Sequence, residues 1–272
     1  MTENTIPNAY RRLRDLTAAR VALEATGSSL TTNELLAFQF DWAKARDAVH
    51  FQVDFDALAD ALTTAGFDTL QVASAADSRA TYLRRPDLGR RLSEAGAAAL
   101  EPLRDTQPDI ALIVADGLSG TAVAEHASEL IATFAQRAEH AGWRLSPVIL
   151  VEQGRVAIGD PIGEHLGARL SVVIIGERPG LSAADSLGVY ITYAPRTGRY
   201  DAERNCISNI RPGGLTPDAA TDTMAYLIRH ALVQQLTGVG LKDQSTTLEA
   251  DRNEADDAGL PAHRGPQTGE TE

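Results

Sequence analysis

Asp116-Gly117-Leu118-Ser119-Gly120 holds the most overtly reactive pair of side chains in the sequence, a carboxylate and a hydroxyl around a glycine turn. A stand-alone α/β hydrolase or nucleotide-binding enzyme could use Asp116 as a base or magnesium ligand and Ser119 as a nucleophile. The spacing argues otherwise, because a nucleophile elbow reads Gly-x-Ser-x-Gly and the second glycine here comes too early. Ser119 is better placed to cap a following helix, and Asp116 to accept backbone amides in the turn. Gly238-Val239-Gly240-Leu241-Lys242 follows a helical pattern rather than a strand, which excludes a phosphate-binding loop. His50, His126, His140, His165, His230 and His263 never fall at metal-ligand spacing, so no metal site is expected. Cys206 is the only cysteine, which removes any internal disulfide or cysteine-built zinc cluster. A lone thiol of this kind ordinarily serves as a small buried hydrophobe.

The elements that must position these residues divide at about residue 105. Residues 1–104 read as a helical N-terminal region. Tyr10, Leu13, Leu16, Val21 and Leu23 follow one helical face before Gly27, Thr31 with Glu34 has the form of a capping box, and Asp54 can cap a third helix ending near Gly66. Leu70 to Ala73 is a short alternating run, and Pro86 opens a further helix towards Leu100. Residues 105–241 then read as a Rossmann-like wound α/β domain with a mostly parallel sheet. Ile110 to Ala115, Val148 to Val151, Val156 to Ile158, Leu170 to Ile175 and Val189 to Tyr193 are its expected strands. Helices are expected from Thr121 to about His140, around Ile162 to Leu166, and from Thr216-Pro217 to Thr237. In such folds ligands bind beyond the carboxyl ends of the strands, which singles out the loops after Ala115, Ile175 and Tyr193.

The 272 residues are 43% hydrophobic and 23% charged, the balance of an ordinary soluble globular protein. No run approaches the roughly 20 apolar residues needed to span a bilayer, and no secretion signal opens the chain, so a cytoplasmic protein without membrane contact is expected. A formal charge of −12 argues against nucleic acid as a partner. Much of that charge sits at the end: residues 238–272 hold three basic and eight acidic residues without apolar periodicity. Residues 242–272 therefore read as a disordered acidic tail. A ligand-free scaffold subunit, built on the helical region and this tail, is an alternative consistent with composition alone.

Three segments give a sharper reading. Gly176-Glu177-Arg178-Pro179-Gly180-Leu181-Ser182, Tyr193-Ala194-Pro195-Arg196 and Asn205-Cys206-Ile207-Ser208-Asn209-Ile210-Arg211 together resemble the small (light) subunit of ethanolamine ammonia-lyase. Arg155-Val156-Ala157-Ile158, Asp160-Pro161-Ile162-Gly163-Glu164, the Asp116 turn and Arg85-Pro86-Asp87-Leu88-Gly89-Arg90-Arg91-Leu92 match in the same order. The resemblance covers most of the chain from Tyr82 to Gly240. It implies a large subunit that binds ethanolamine and carries the catalytic residues, so that none are expected in this chain. It also implies adenosylcobalamin, with its own base still on cobalt, at the interface of a hetero-oligomer with several copies of each chain. The reaction implied is the radical conversion of ethanolamine to acetaldehyde and ammonia. Carried over by motif, the cofactor contacts are Val156, Glu177 and Cys206, with Arg155 as a further polar candidate. Asp41-Trp42-Ala43 departs from the Asp-His-Ala of the family pattern, and the loop Thr197 to Arg204 is expected to be variable and to adjust to the partner. A bacterial microcompartment is the alternative location, against which stands the short segment before the first helix.

Overall fold

The protein is described here by a computed structural model covering residues 8–17, 19–26 and 28–244. Helix α1 (Asn8–Leu16), the hairpin β1 (Ala25–Thr26) and β2 (Ser29–Leu30), α2 (Thr32–His50) and α3 (Phe55–Thr64) precede β3 (Thr69–Ala73). Helices α4 (Arg79–Arg84) and α5 (Glu94–Ala99) lead to β4 (Ile110–Ala115), followed by α6 (Gly120–Ala141), β5 (Val148–Glu152), α7 (Gly159–Leu166) and β6 (Leu170–Gly176). Strands β7 (Leu187–Tyr193) and β8 (Arg204–Ile210) and helix α8 (Pro217–Gln234) follow. Six strands form one sheet in the order β3-β5-β4-β6-β7-β8. The first four are parallel, and β7 and β8 extend the sheet as an antiparallel pair.

Strand β4 is buried along its whole length, which is why Ile110 to Ala115 carries no polar residue. Ile110, Leu112 and Val114 face one layer, packing with Phe55, Leu58 and Leu62 of α3, Val123, Leu130 and Phe134 of α6, and Met224 and Leu227 of α8. Ala111, Ile113 and Ala115 face the other, with Ile162 and Leu166 of α7 and with Leu100. Thr31, Asp54, Ser119 and Thr216 each accept a hydrogen bond from the backbone N–H three residues on, as N-caps do. The box at Thr31 does not close: the Glu34 carboxylate turns to the Arg14 guanidinium at 2.9 Å and to the Glu24 amide. Among the described residues no helix is long and apolar enough to cross a membrane.

Four expectations are corrected. Val156 to Ile158 is a 3-10 turn entering α7, not a strand. Strand β5 already has partners on both sides, and Gln153, at φ +54°, turns the chain out of the sheet before Gly154. Instead of one helix from Pro86 to Leu100, there is a 3-10 turn at Leu88–Arg90 and then α5, capped by Ser93. The break brings Gly89 beneath the site, where its carbonyl accepts the Arg155 N–H at 2.7 Å. The loop after Tyr193 is not at the ligand end of the sheet: Tyr193 pairs with Leu170, at the start of β6, because β7 runs backwards. Lastly, α1 ends at Leu16 and α8 at Gln234, short of Leu23 and Thr237. The short alternating run Leu70 to Ala73 lies in strand β3, an edge of the sheet. Strand β8 was not foreseen. Of the acidic tail, 245–272 lie outside the described residues.

Arg204 begins β8 and belongs to the core rather than to a variable loop. Its guanidinium meets the Asp160 carboxylate of α7 in a two-point ion pair at 2.6 and 2.7 Å, with side chains 2% and 3% exposed. It also donates to Thr192 Oγ1 and the Arg199 carbonyl, so most of its donors are used. Asp160→Ala leaves this cation buried without its counter-charge and is expected to cost about 3–5 kcal/mol. The double variant Asp160→Leu with Arg204→Met should recover much of that loss. Urea unfolding of both checks this.

Candidate functional site

The carboxyl ends of β4, β5 and β6 form a crevice whose floor is two crossing backbones. The Leu118 N–H donates to the Gly176 carbonyl at 2.9 Å. A Cβ on Gly176 would stand 2.0 Å from the Ser119 carbonyl, and one on Gly117, at φ +60°, 2.2 Å from the Gly176 carbonyl. Only glycine fits either position. Ser119 Oγ donates to the Ala184 carbonyl at 2.7 Å and accepts the Ala122 N–H at 3.2 Å, in a side chain with no exposed surface. Its proton is committed and its oxygen is covered, so it ties the loop after β6 to α6 and offers no nucleophile.

Asp116 is equally internal. It accepts the Gly154 N–H at 3.0 Å and the Arg79 guanidinium at 3.3 Å. Arg79 also donates to the Gly117 carbonyl at 2.8 Å and the Val49 carbonyl at 2.7 Å, linking α2, α4 and the β4 turn. Burial pushes the Asp116 carboxyl up to about 6, against the pull of Arg79 and of the Gln153, Gly154 and Gly117 amides. Tyr82 is wholly buried between two cations, with Arg79 4.8 Å and Arg155 4.3 Å from its ring centre, and its hydroxyl donates to the Gly154 carbonyl at 3.0 Å. The phenol pKa is raised by that burial. This network holds the turn from which Arg155 and Val156 project.

A cleft of about 250 Å³ opens beside it. Arg155, Val156 and Glu177 line it together with Tyr82, Ile175 and Tyr190. Arg155 Nε is buried with no hydrogen-bond partner among the described residues. Glu177 does not pair with Arg178: its Oε2 accepts the Asn209 N–H of β8 at 3.0 Å, and its stem lies over Gly188, where a Cβ would meet it at 3.1 Å. Cys206 is not in the lining. It stands opposite Tyr190 in the β7–β8 register, exposed rather than buried in the core. Partial desolvation raises its thiol pKa, with the Tyr190 hydrogen bond acting the other way.

The chain matches the family model of the ethanolamine ammonia-lyase light chain (EutC) over residues 7–242. It is 51% identical over 249 residues to the ethanolamine ammonia-lyase small subunit of Pseudomonas fluorescens (strain SBW25), covering 90% of each chain. The small subunit of Pseudomonas aeruginosa (strain LESB58) is 51% identical over 247 residues, again with 90% of each covered. That of Pseudomonas putida (strain W619) is 51% identical over 244 residues, with 89% of this chain and 90% of that protein covered.

The chain belongs to the ethanolamine ammonia-lyase light-chain family. For this member of the family, the structure adds Arg79, Tyr82 and Tyr190 to the residues that sequence singled out around the cleft. No sequence signal marks them, because each acts through partners distant along the chain, such as the Arg79 contact with Asp116 across 37 positions. A second grouping was missed for the same reason. His126 Nε2 lies 3.7 Å from Glu125 and 3.6 Å from Asp185, with the Arg211 guanidinium 3.8 Å from that second carboxylate. The grouping binds the start of α6 to the loop before β7.

The raised Asp116 pKa has a definite sign in stability. A carboxyl that titrates at about 6 when folded and near 3.8 when unfolded favours the folded state fully below pH 3.8 and loses that contribution as pH rises through about 6. Asp116→Asn cannot titrate. The stability of the wild type relative to this variant is therefore expected to fall between pH 4 and 7 by on the order of 3 kcal/mol. Urea titrations at steps of pH would show the slope; a flat difference would contradict it.

Proposed function

We propose that this chain contacts adenosylcobalamin through Arg155, Val156, Glu177 and Cys206 and covers it against the large subunit of an ethanolamine ammonia-lyase. In that assembly, a hetero-oligomer with several copies of each chain, ethanolamine becomes acetaldehyde and ammonia. The observation that carries the reading is the convergence of Arg155, Val156 and Glu177, from separate stretches of sequence, on one cleft at the carboxyl end of a parallel sheet. The donor set suits a corrin edge, an apolar ring rimmed by amides. Val156 and Ile175 supply apolar wall, the second carboxylate oxygen of Glu177 an acceptor for amide N–H, and the buried Arg155 Nε a donor lacking its partner. At about 250 Å³ the cleft is smaller than the ~300–1,000 Å³ that encloses a drug-sized ligand, so it holds only part of so large a cofactor. The remainder needs a second surface, which is the part played by the large subunit.

Adenosylcobalamin supplies the radical chemistry when bound. This chain's residues bind and orient: Glu177 is held by β8, Arg155 is held over Tyr82, and Val156 excludes water from the cleft wall. No residue here is assigned to substrate or to proton transfer.

Glu177→Gln separates binding from folding. The amide oxygen of Gln can still accept the Asn209 N–H, so the melting temperature should change little, by less than about 1 kcal/mol in stability. The charged acceptor for the cofactor is lost, and cobalamin should dissociate from the assembled complex about 5–150 times more readily. Cys206→Ser, on the exposed face beside Tyr190, is expected to give a smaller loss. Dissociation constants and melting temperatures of both variants in the complex are the measurements. Unchanged affinity in both would remove the site from this chain.

A further inference from the structure

Helix α2 is inverted relative to an ordinary surface helix. Of its 19 residues only Glu34 and Ala48 are buried, while Leu35, Leu36, Phe38, Phe40 and Trp42 are 45%, 56%, 38%, 63% and 52% exposed. The side turned to the body carries small or polar groups, Glu34, Asp41, Ala45 and Ala48, and the largest apolar side chains turn away from it. A helix that is apolar outside its own seat belongs in a buried place. We propose that this outer surface of α2 docks onto the large subunit. The proposal rests on the reading that the large subunit covers the cofactor crevice.

Size supports a stable interface. Taking about 200 Å² for each whole side chain, these five leave on the order of 500 Å² of apolar surface in water. That matches the largest patch a monomer ordinarily tolerates and is more than half of the ~800 Å² that one partner contributes to a standard interface. Cations already lie over the rings, with Lys44 4.4 Å from the Phe40 centre, Arg46 5.5 Å from Trp42 and Arg20 5.2 Å from Phe38, so the patch offers the aromatic and Arg side chains that are enriched in interfaces.

Continuity selects the occupant. Asp41, Lys44 and Asp47 of α2 share a cleft with Leu181, Ser182 and Asp185, which belong to the loop that begins at Glu177. Leu181 is itself 37% exposed. A partner that closes the cofactor crevice over that loop meets α2 next, across a cleft lined mainly by charged and polar side chains.

The test uses full-length chains; assembly is measured without cobalamin, which is then added to score its retention. Phe40→Ser with Trp42→Ser is expected to weaken assembly with the large subunit at least 30-fold in sedimentation, since two central aromatic anchors are lost. The melting temperature of the isolated variant should be unchanged, because both side chains face water. Should that variant melt lower, Leu36→Lys carries the same test. Val156→Trp, which fills the cleft, is expected to assemble normally and to fail to retain cobalamin. Retention by Val156→Trp would overturn the cofactor reading and leave the docking surface standing. Undiminished assembly of the α2 variants would overturn the docking surface, as would a wild-type homodimer that they dissociate while still binding the large subunit normally.

Discussion

The turns after β4 and β6 pass within backbone contact of one another, and the room for that passage exists only because Gly117 and Gly176 lack side chains. The contact joins the two strands at the centre of the sheet beyond the point where their own ladder ends. Everything at the crevice is referred to it. Ser119 spans from the β4 turn to the Ala184 carbonyl, Asp116 spans to the turn after β5, and Glu177 departs from Gly176 towards β8. A shift of either loop would move the cleft wall and its acceptor together.

Around this crossing, charge is used as structure. Arg79 and Asp116 are both buried, and their charges are offset by one another and by carbonyls and amides of three segments. Arg204 and Asp160 repeat the device on the far side of the sheet, where α7 meets β8. Buried pairs contribute little net stability, yet removing one partner is costly, so each pair penalises any other arrangement of its segments. In the crevice the same rigidity would keep the proposed contacts in place before a ligand arrives.

What the sequence revealed follows from the range of the physics involved. Ile110 to Ala115 and Leu170 to Ile175 were legible because a doubly buried strand is almost continuously apolar, with Ser171 the one polar residue in the two runs, and the caps at Thr31, Asp54, Ser119 and Thr216 because capping is decided within three residues. Strand β8 was obscured by its own pattern: Asn205, Cys206, Ser208 and Asn209 leave little apolar alternation, and a bulge near the Leu187–Val189 pairing disturbs the register. Val156 to Ile158 has strand composition, but β5, the strand just before it, is already paired on both sides and the chain turns out of the sheet at Gln153. At the site, the motifs carrying Arg155, Val156 and Glu177 were found, whereas Arg79 and Tyr82 were not, since a guanidinium over a ring or a carboxylate far along the chain has no local signature. The spacing of histidines could not reveal His126 between two carboxylates, because one of them arrives from a different loop.

The reversal of β7 has a practical corollary. Its seven residues carry the chain from Leu187, level with Gly176, to Tyr193, level with Leu170, so the connection from Ala194 to Glu203 lies a full strand length, about 20 Å, from the crevice. Thr197 and Gly198 are exposed there, and a Cβ on Gly198 would meet nothing within 4 Å. That hairpin is the place to graft a fluorophore or an affinity handle when the crevice and the α2 face must both stay untouched.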